Sequence, residues 1–154
     1  MPEKKCYVPA RELFDQVSRL LEQGYDADFT VTGNSMWPLL AHGRDRVVLR
    51  KQPPKNGDIV LFCPVEGKYL LHRINRLKNG RFRTAGDGNC FHDGSFPVSC
   101  ILGTVVAVVR KDKRKAAHSF CLRLWSALWR LLFPARKLLL RLLRGLAAAR
   151  RKAA

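Results

Sequence analysis

The sequence predicts a mostly β fold, a coiled antiparallel sheet with an N-terminal helix and a C-terminal basic amphipathic helical tail. Across residues 28–110, short runs rich in β-branched and aromatic residues alternate with turns of Gly, Pro and Asn, which is typical of antiparallel strands. Residues before this region have helical spacing. Residues 110–154 carry fourteen Lys and Arg against one acid, which is most of the net charge of +17. We therefore divide the chain into an N-terminal helical segment (1–27), a β domain (28–110) and a helical tail (111–154).

The first predicted element is a helix over residues 9–24. Its apolar side chains recur with the helical period and share one face, which we expect to pack on the domain. Gly24 lies where this helix would end. The apolar face consists of Leu13, Val17, Leu20 and Leu21.

Six β segments follow, separated by turn-forming residues. A hairpin turn at Asn79-Gly80 joins the fourth segment to the fifth. The sixth contains the apolar, β-branched run 101–109, which is typical of a buried closing strand. The segments are 29–32, 46–50, 58–62, 68–77, 81–85 and 97–110.

The tail reads as two helical stretches, 117–133 and 135–149, with Pro134 between them. Five cations fall within a sector of about 60° on a helical projection, and the other faces carry Leu, Trp, Phe and Ala. Three interpretations stay open: binding of residues 117–149 to an anionic membrane surface, packing on the core or a partner protein, and binding to nucleic acid. The apolar density favours the first and makes nucleic acid the least expected. The five cations are Arg123, Arg130, Lys137, Arg141 and Arg144.

The cysteines and the hydropathy of the chain bear on its location. Five cysteines form no CxxC pair and no zinc-type spacing, which favours reduced thiols and a cytoplasmic setting. We find no secretory signal and no apolar stretch long enough to span a bilayer, so we expect at most a peripheral position on the inner membrane face. No cofactor and no metal are expected.

Three short segments together supply the parts of a hydrolytic site. Residues 33–38 read Gly-Asn-Ser-Met-Trp-Pro, residues 71–74 read Leu-His-Arg-Ile, and residues 86–89 read Gly-Asp-Gly-Asn. Serine, histidine and an acid are the nucleophile, its base and the group that orients the base in serine hydrolases. An imidazole with an ordinary pKa near 6.5 is largely neutral at neutral pH and can accept the serine proton.

These segments resemble the signal peptidase I and SOS-repressor peptidase clan, whose nucleophile pattern is G/S-x-S-M-x-P. His72 follows Ser35 by 37 residues, at the place where bacterial signal peptidases have lysine and the endoplasmic-reticulum and sporulation types have histidine. Residues 84–93 resemble the family's Gly-Asp-x-Asn box, with a second aspartate six residues after the first. The chain is therefore most similar to the histidine-type signal peptidases, in a compact form without their N-terminal membrane helix.

The resemblance implies a role for each site residue. Ser35 would be the nucleophile, His72 the general base and Asp93 the acid that orients it, while Asp87 would shape its loop and support the site electrostatically. Whether Asp93 or Asp87 serves His72 stays open, because either could instead be a turn residue. The substrate-binding residues implied beside the nucleophile are Gly33, Asn34, Met36 and Pro38. We expect His42 and His92 to be surface loop residues and Asp58 to be structural.

The function implied is that of a serine endopeptidase that cleaves an extended peptide, such as a leader or propeptide, bound as a strand beside the serine. The alternative is a non-catalytic peptide-binding or membrane-associated β domain of the same fold. Only the enzyme needs Ser35, His72 and an acid together. The expected partner is a peptide or protein substrate, with an anionic membrane as a second surface.

Overall fold

The computed structural model describes residues 9–117 and 119–152. These residues form one antiparallel sheet and three α-helices. The expectation of a mostly β fold is confirmed. The expectations that rest on residues 1–8, including the thiol of Cys6, lie outside the described residues. In chain order the elements are α1 (Ala10–Glu22), β1 (Ala27–Thr30), β2 (Asp45–Arg50), β3 (Ile59–Val65), β4 (Lys68–Lys78), β5 (Arg81–Ala85), β6 (Ser95–Pro97), β7 (Ile101–Arg110), β8 (Lys113–Ala116), α2 (Phe120–Leu131) and α3 (Arg136–Lys152).

The strands form one eight-stranded sheet in the order β1-β2-β7-β3-β4-β5-β6, and β8 pairs with the far half of β7. Strand β7 is central because its residues 104–110 pair with β2 along one edge, while its other edge is shared between β3 and β8. Register shifts interrupt four of these pairings, and such irregularities bend a strand and increase its twist.

Two groups of apolar side chains hold the sheet together. The large core lies between the sheet, α1 and the segment that follows β1, and its members include Val17, Leu21, Met36, Leu40, Val47, Leu49, Ile59 and Leu61. The small core is formed by side chains on the opposite face of β3, β4 and β5, and its buried members are Val60, Phe62, Ile74 and Phe82. The two sets alternate along β3, as expected for a strand covered on both faces.

The N-terminal helix predicted from the sequence is present as α1, and its last residue is Glu22. Gly24 adopts φ of 86°, a conformation that glycine accepts without steric cost, so it stops the helix as expected. Val17 and Leu21 are buried against the sheet. The predicted apolar face therefore packs on the domain, with Leu20 left at its exposed margin.

The sheet continues past Arg110, where the sequence suggested the start of a helical tail. Residues 113–116 form β8, which returns along β7 after a turn at Lys111 and Asp112, both with positive φ. The register pairs Ala107 with Ala116 and Arg110 with Lys113. This strand consists largely of Lys and Arg and has no apolar pattern, so its sequence gave no strand signal.

Beyond β8 the two predicted helical stretches are present as α2 and α3, and a short 3₁₀ turn at residues 133–135 contains the expected break at Pro134. Both helices contact the rest of the molecule through a few buried side chains: Ser126, Trp129, Arg136 and Leu140. No helix within residues 9–117 and 119–152 combines the length and the apolar character needed to cross a bilayer. The four cysteines in this part of the chain, at positions 63, 90, 100 and 121, are free thiols.

Candidate active site

His72 and Asp93 lie side by side, although 21 residues separate them in the sequence. His72 is on β4, where its side chain points toward the small core and its ring meets the edge of Phe62 at 6.4 Å between centroids. Its Nδ1 lies 2.6 Å from Asp93 Oδ2. The Asp93 N–H donates to Thr84 O at 2.8 Å. This bond brings the loop after β5 back to the end of that strand and places Asp93 beside His72. The structure thus brings together the candidate base and one of the two candidate acids.

Thr84 completes this group as a second donor to the carboxylate. Its Oγ1 donates to Asp93 Oδ2 at 2.7 Å. Burial opposes ionisation of Asp93, but the hydrogen bonds from His72 and Thr84 outweigh it and hold the pKa of Asp93 below its ordinary value. An ionised Asp93 can only accept, so His72 Nδ1 carries a proton in this short contact, which in the neutral ring is the Nδ1–H tautomer. The tautomer leaves Nε2 as the basic nitrogen, as in serine hydrolases.

The segment that carries Ser35 is held against the glycine loop at residues 86–89. Gly88 N–H donates to Ser35 O at 2.7 Å. A Cβ added at Gly86 would collide with Ser35 O, and one at Gly88 would come within 2.7 Å of Asn34 O. Both glycines are therefore required by close approach of the two backbones, a role that the sequence pattern did not reveal.

The glycine loop that contacts the Ser35 segment is also next in the chain to β5, which pairs with the strand of His72. The glycine loop follows β5, and Ala85 pairs with Arg73, the residue after His72. Ser35 is partly exposed. Within the described part of the chain, no hydrogen bond joins Ser35 Oγ to His72 Nε2. Catalytic hydrogen bonds often form only when substrate binds, so Ser35 stays a candidate nucleophile.

Asp87 does not contact His72. Its two carboxylate oxygens accept from Arg73 Nε at 2.8 Å and Arg73 Nη2 at 2.7 Å, and both side chains are almost completely buried. Arg73 also donates to Gly57 O at 2.9 Å. Asp87 therefore neutralises a buried guanidinium and fixes the glycine loop to β4, while Asp93 is the acid beside the histidine. Arg73 itself was missed, and its only sequence signal is its place directly after His72.

The C-terminal helices bind the same loop through side-chain donors to all four of its carbonyl groups. Trp129 Nε1 donates to Asp87 O at 3.0 Å, and Arg144 Nη2 donates to Gly88 O at 3.3 Å. Arg136 Nη1 donates to the carbonyls of residues 86 and 89. Burial lowers the pKa of Arg136, and the repulsion of Arg73 adds to this, whereas the attraction of Asp87 opposes it. These contacts favour the packing interpretation for the inner face of the tail.

The proposed substrate-binding residues occupy different environments. Gly33 has φ of 80° and donates its N–H to His42 Nδ1 at 3.1 Å. Asn34 is exposed and lies at the wall of a cleft of about 350 Å³ shared with α3. Pro38 is partly exposed, but Met36 is 2 % exposed and packs in the large core. Met36 therefore attaches the serine segment to the large core, and its side chain is not available to a substrate.

His42, His92 and Asp58 lie on loops, as the sequence suggested. His42 accepts from the turn at Gly33, and the ring of His92 stacks on Phe133 at 4.0 Å between centroids. Burial, Arg83 and Arg136 lower the pKa of His92. Asp58 Oδ2 accepts from Lys55 N–H at 2.8 Å and closes the turn before β3.

One edge of β4 is open beside His72. Residues 68–71 pair with β3, but β5 begins to pair with β4 only at Arg73, and no other described strand covers the edge. The Ile74 N–H donates to Asp58 O and the Ile74 carbonyl accepts from Gly57 N–H, so the backbone groups of Ile74 point toward β3. Because these directions alternate along a strand, the backbone groups of Tyr69 and Leu71 point to the other, open edge. A peptide could add there as a further strand.

A scan against protein-family models found no match for this chain, and a search of the curated proteins found none either. The chemistry of the site therefore has to be argued from its own geometry.

Proposed function

We propose that the protein is a serine endopeptidase resembling the histidine-type signal peptidases, with Ser35 as nucleophile, His72 as general base and Asp93 as the orienting acid. The observation that carries this proposal is the 2.6 Å contact between His72 Nδ1 and Asp93 Oδ2. It holds the ring in place and, in the neutral imidazole, leaves Nε2 to accept a proton.

The reaction follows the acyl-transfer scheme. Ser35 Oγ attacks the peptide carbonyl as its proton passes to His72 Nε2, and the imidazolium is stabilised by Asp93. His72 then donates the proton to the leaving amine, and water releases the acyl group by the same route. The Ser35 N–H is the nearest candidate to stabilise the developing oxyanion. No cofactor takes part.

The open edge of β4 supports an extended peptide as the substrate. A chain paired with Tyr69 and Leu71 would run toward His72 and present a carbonyl near the nucleophile segment. Because backbone groups supply this affinity, selectivity has to come from the few side chains next to the cleaved bond. A leader or propeptide with an unstructured cleavage region meets these requirements.

The test is cleavage of extended peptides with small residues before the cleaved bond, followed by mass spectrometry with the full chain. We expect Ser35→Ala to abolish cleavage and Asp93→Asn to lower kcat/KM by roughly 10⁴-fold, because the amide would hold the wrong tautomer of His72. The matched control is Asp112→Asn, which changes an exposed turn carboxylate and should cleave like the unmodified chain. Turnover that survives Ser35→Ala would overturn the proposal.

A non-catalytic peptide-binding domain of the same fold is the second candidate, favoured by the missing hydrogen bond between Ser35 Oγ and His72 within the described residues. It predicts that peptides bind the β4 edge but are never cut. Binding that is equal in the unmodified chain and in Ser35→Ala, without turnover in either, would select this function.

A further inference from the structure

The docked C-terminal helices still expose most of their large apolar side chains. The inner face of α2 and α3 is buried through Trp129, Arg136 and Leu140, so packing on the domain accounts for that face. It does not account for the outer face. The exposed apolar residues of the two helices are Phe120, Leu124, Leu128, Leu131, Leu138, Leu142 and Leu146.

These residues form one stripe on each helix, on the side away from the domain. At about 100° per residue, the apolar stripe of α2 lies roughly 170° from its buried face and that of α3 roughly 140° from its own. Rows of large exposed apolar side chains on a helix are a common mark of an interaction site. We call these two stripes together the outer face and define it by the seven residues above.

Cations lie along one flank of the outer face in both helices. Arg123 and Arg130 occupy this flank on α2, and Lys137, Arg141 and Arg144 occupy it on α3. Of these, Arg144 donates to Gly88 O in the glycine loop, whereas Lys137 and Arg141 are exposed to solvent. The α2 cations also line an open cavity of about 430 Å³ together with Lys55 and Asp58, and among the described residues the buried Arg130 Nε has no hydrogen-bond partner. An anionic group would satisfy this flank.

We propose that the outer face binds an anionic bilayer surface peripherally while the inner face stays docked on the glycine loop. Leucine and phenylalanine side chains enter the boundary between headgroups and acyl chains, and the flanking cations contact the lipid phosphates. A second copy of the chain fits this face poorly, because residues 110–154 carry fourteen bases against one acid and the two surfaces would repel. The proposal does not depend on the peptidase reaction.

The test uses the full chain and sedimentation with vesicles of phosphatidylcholine, with or without phosphatidylglycerol. We expect binding to the anionic vesicles that falls at high salt, and weaker binding to neutral ones. The double variant Leu138→Gln/Leu142→Gln should lose about tenfold or more in vesicle affinity, because it removes apolar contact with the boundary region. Its matched control, Leu20→Gln/Val65→Gln, changes exposed apolar residues outside the tail and should bind like the unmodified chain.

Charge is tested in the same way. Lys137→Ala/Arg141→Ala should weaken binding to anionic vesicles only, whereas Lys51→Ala/Lys78→Ala should not. Ser35→Ala should bind like the unmodified chain, so failure of the peptidase proposal leaves this result intact. Equal binding by the leucine variant and its control would overturn the inference. So would a lipid-free dimer that Leu138→Gln/Leu142→Gln converts to a monomer, because the face would then join two copies.

Discussion

At the scale of single residues, the site consists of two carboxylates with different tasks. Asp93 faces an imidazole and a hydroxyl, whereas Asp87 faces a guanidinium. The sequence placed both acids in one box but did not distinguish them, because their partners come from neighbouring strands. Arg73 and His72 are adjacent on β4 and therefore point to opposite faces of the sheet, so each recruits its own aspartate.

The buried pair of Arg73 and Asp87 should dominate the stability of this region. Asp87→Asn leaves the guanidinium of Arg73 buried without its counter-charge, and the buried Arg136 nearby adds repulsion. We expect a loss of about 3–5 kcal/mol in the free energy of unfolding, measured by urea denaturation. The double variant Arg73→Met/Asp87→Leu should lose less, because it removes both charges together.

The control for this experiment is Glu66→Gln, which breaks the exposed pair with Arg11. Solvent screens that pair, so its removal should not change the unfolding curve measurably. If Asp87→Asn were as mild as Glu66→Gln, the pair would not be the anchor that fixes the glycine loop to β4.

At the scale of elements, the sequence predicted strands and helices wherever an apolar period exists. The sequence predicted strands β2 to β5 and helix α1 to within a few residues of their ends in the structure. It could do so because half-buried strands and amphipathic helices repeat their apolar residues with a characteristic period. Strand β8 was missed, since its pairing comes from the free edge of β7 and not from its own side chains. The contacts of α2 and α3 with the loop could not be predicted either, because they join residues that are 40 or more positions apart.

Asp45 shows how one side chain ties several elements together. It is completely buried at the start of β2 and accepts from Arg110 of β7 at 2.6 Å, from Arg44 at 2.8 Å and from the Ala41 N–H at 2.8 Å. Burial alone would raise the pKa of Asp45, but these donors outweigh it and lower the pKa below 3.8. The strand pairing of β2 with β7 is thus reinforced by a charge at its end.

This shift predicts how stability depends on pH. Below pH 3.8 and above the folded-state pKa, the unfolded chain binds a proton that the folded chain does not, so stability falls as the pH drops through this window. The contribution of Asp45 is complete above its ordinary pKa. We expect Asp45→Asn to be less stable at neutral pH but to lose less on acidification, measured as urea midpoints across the acid range. Asp112→Asn, at an exposed turn, should keep the original slope, and an unchanged slope in Asp45→Asn would contradict the argument.

At the scale of the whole molecule, the sheet and the C-terminal helices are held by different kinds of contact. Strands β3 and β7 have partners on both sides, and Val60, Phe62 and Thr104 on them are completely buried. Helices α2 and α3 attach mainly through hydrogen bonds to loop carbonyls and a few buried side chains, while the outer face stays exposed. The molecule therefore combines a sheet of high local stability with a helical layer that can open more easily.

Amide hydrogen exchange should resolve these two layers. We expect β3 and β7 to exchange most slowly, by global unfolding only, and α3 to exchange faster through local opening, because fewer buried contacts have to break. When α2 opens together with α3, the donors of Trp129 on α2 and Arg136 on α3 leave the glycine loop, so residues 86–89 should lose protection together with both helices. Trp129→Phe, which deletes one of these donors, should speed exchange in α3 and in the loop but leave β7 unchanged. If α3 were instead protected as strongly as β7, the helices and the sheet would form one cooperative unit, and the loop that holds Ser35 would open only when the whole protein unfolds.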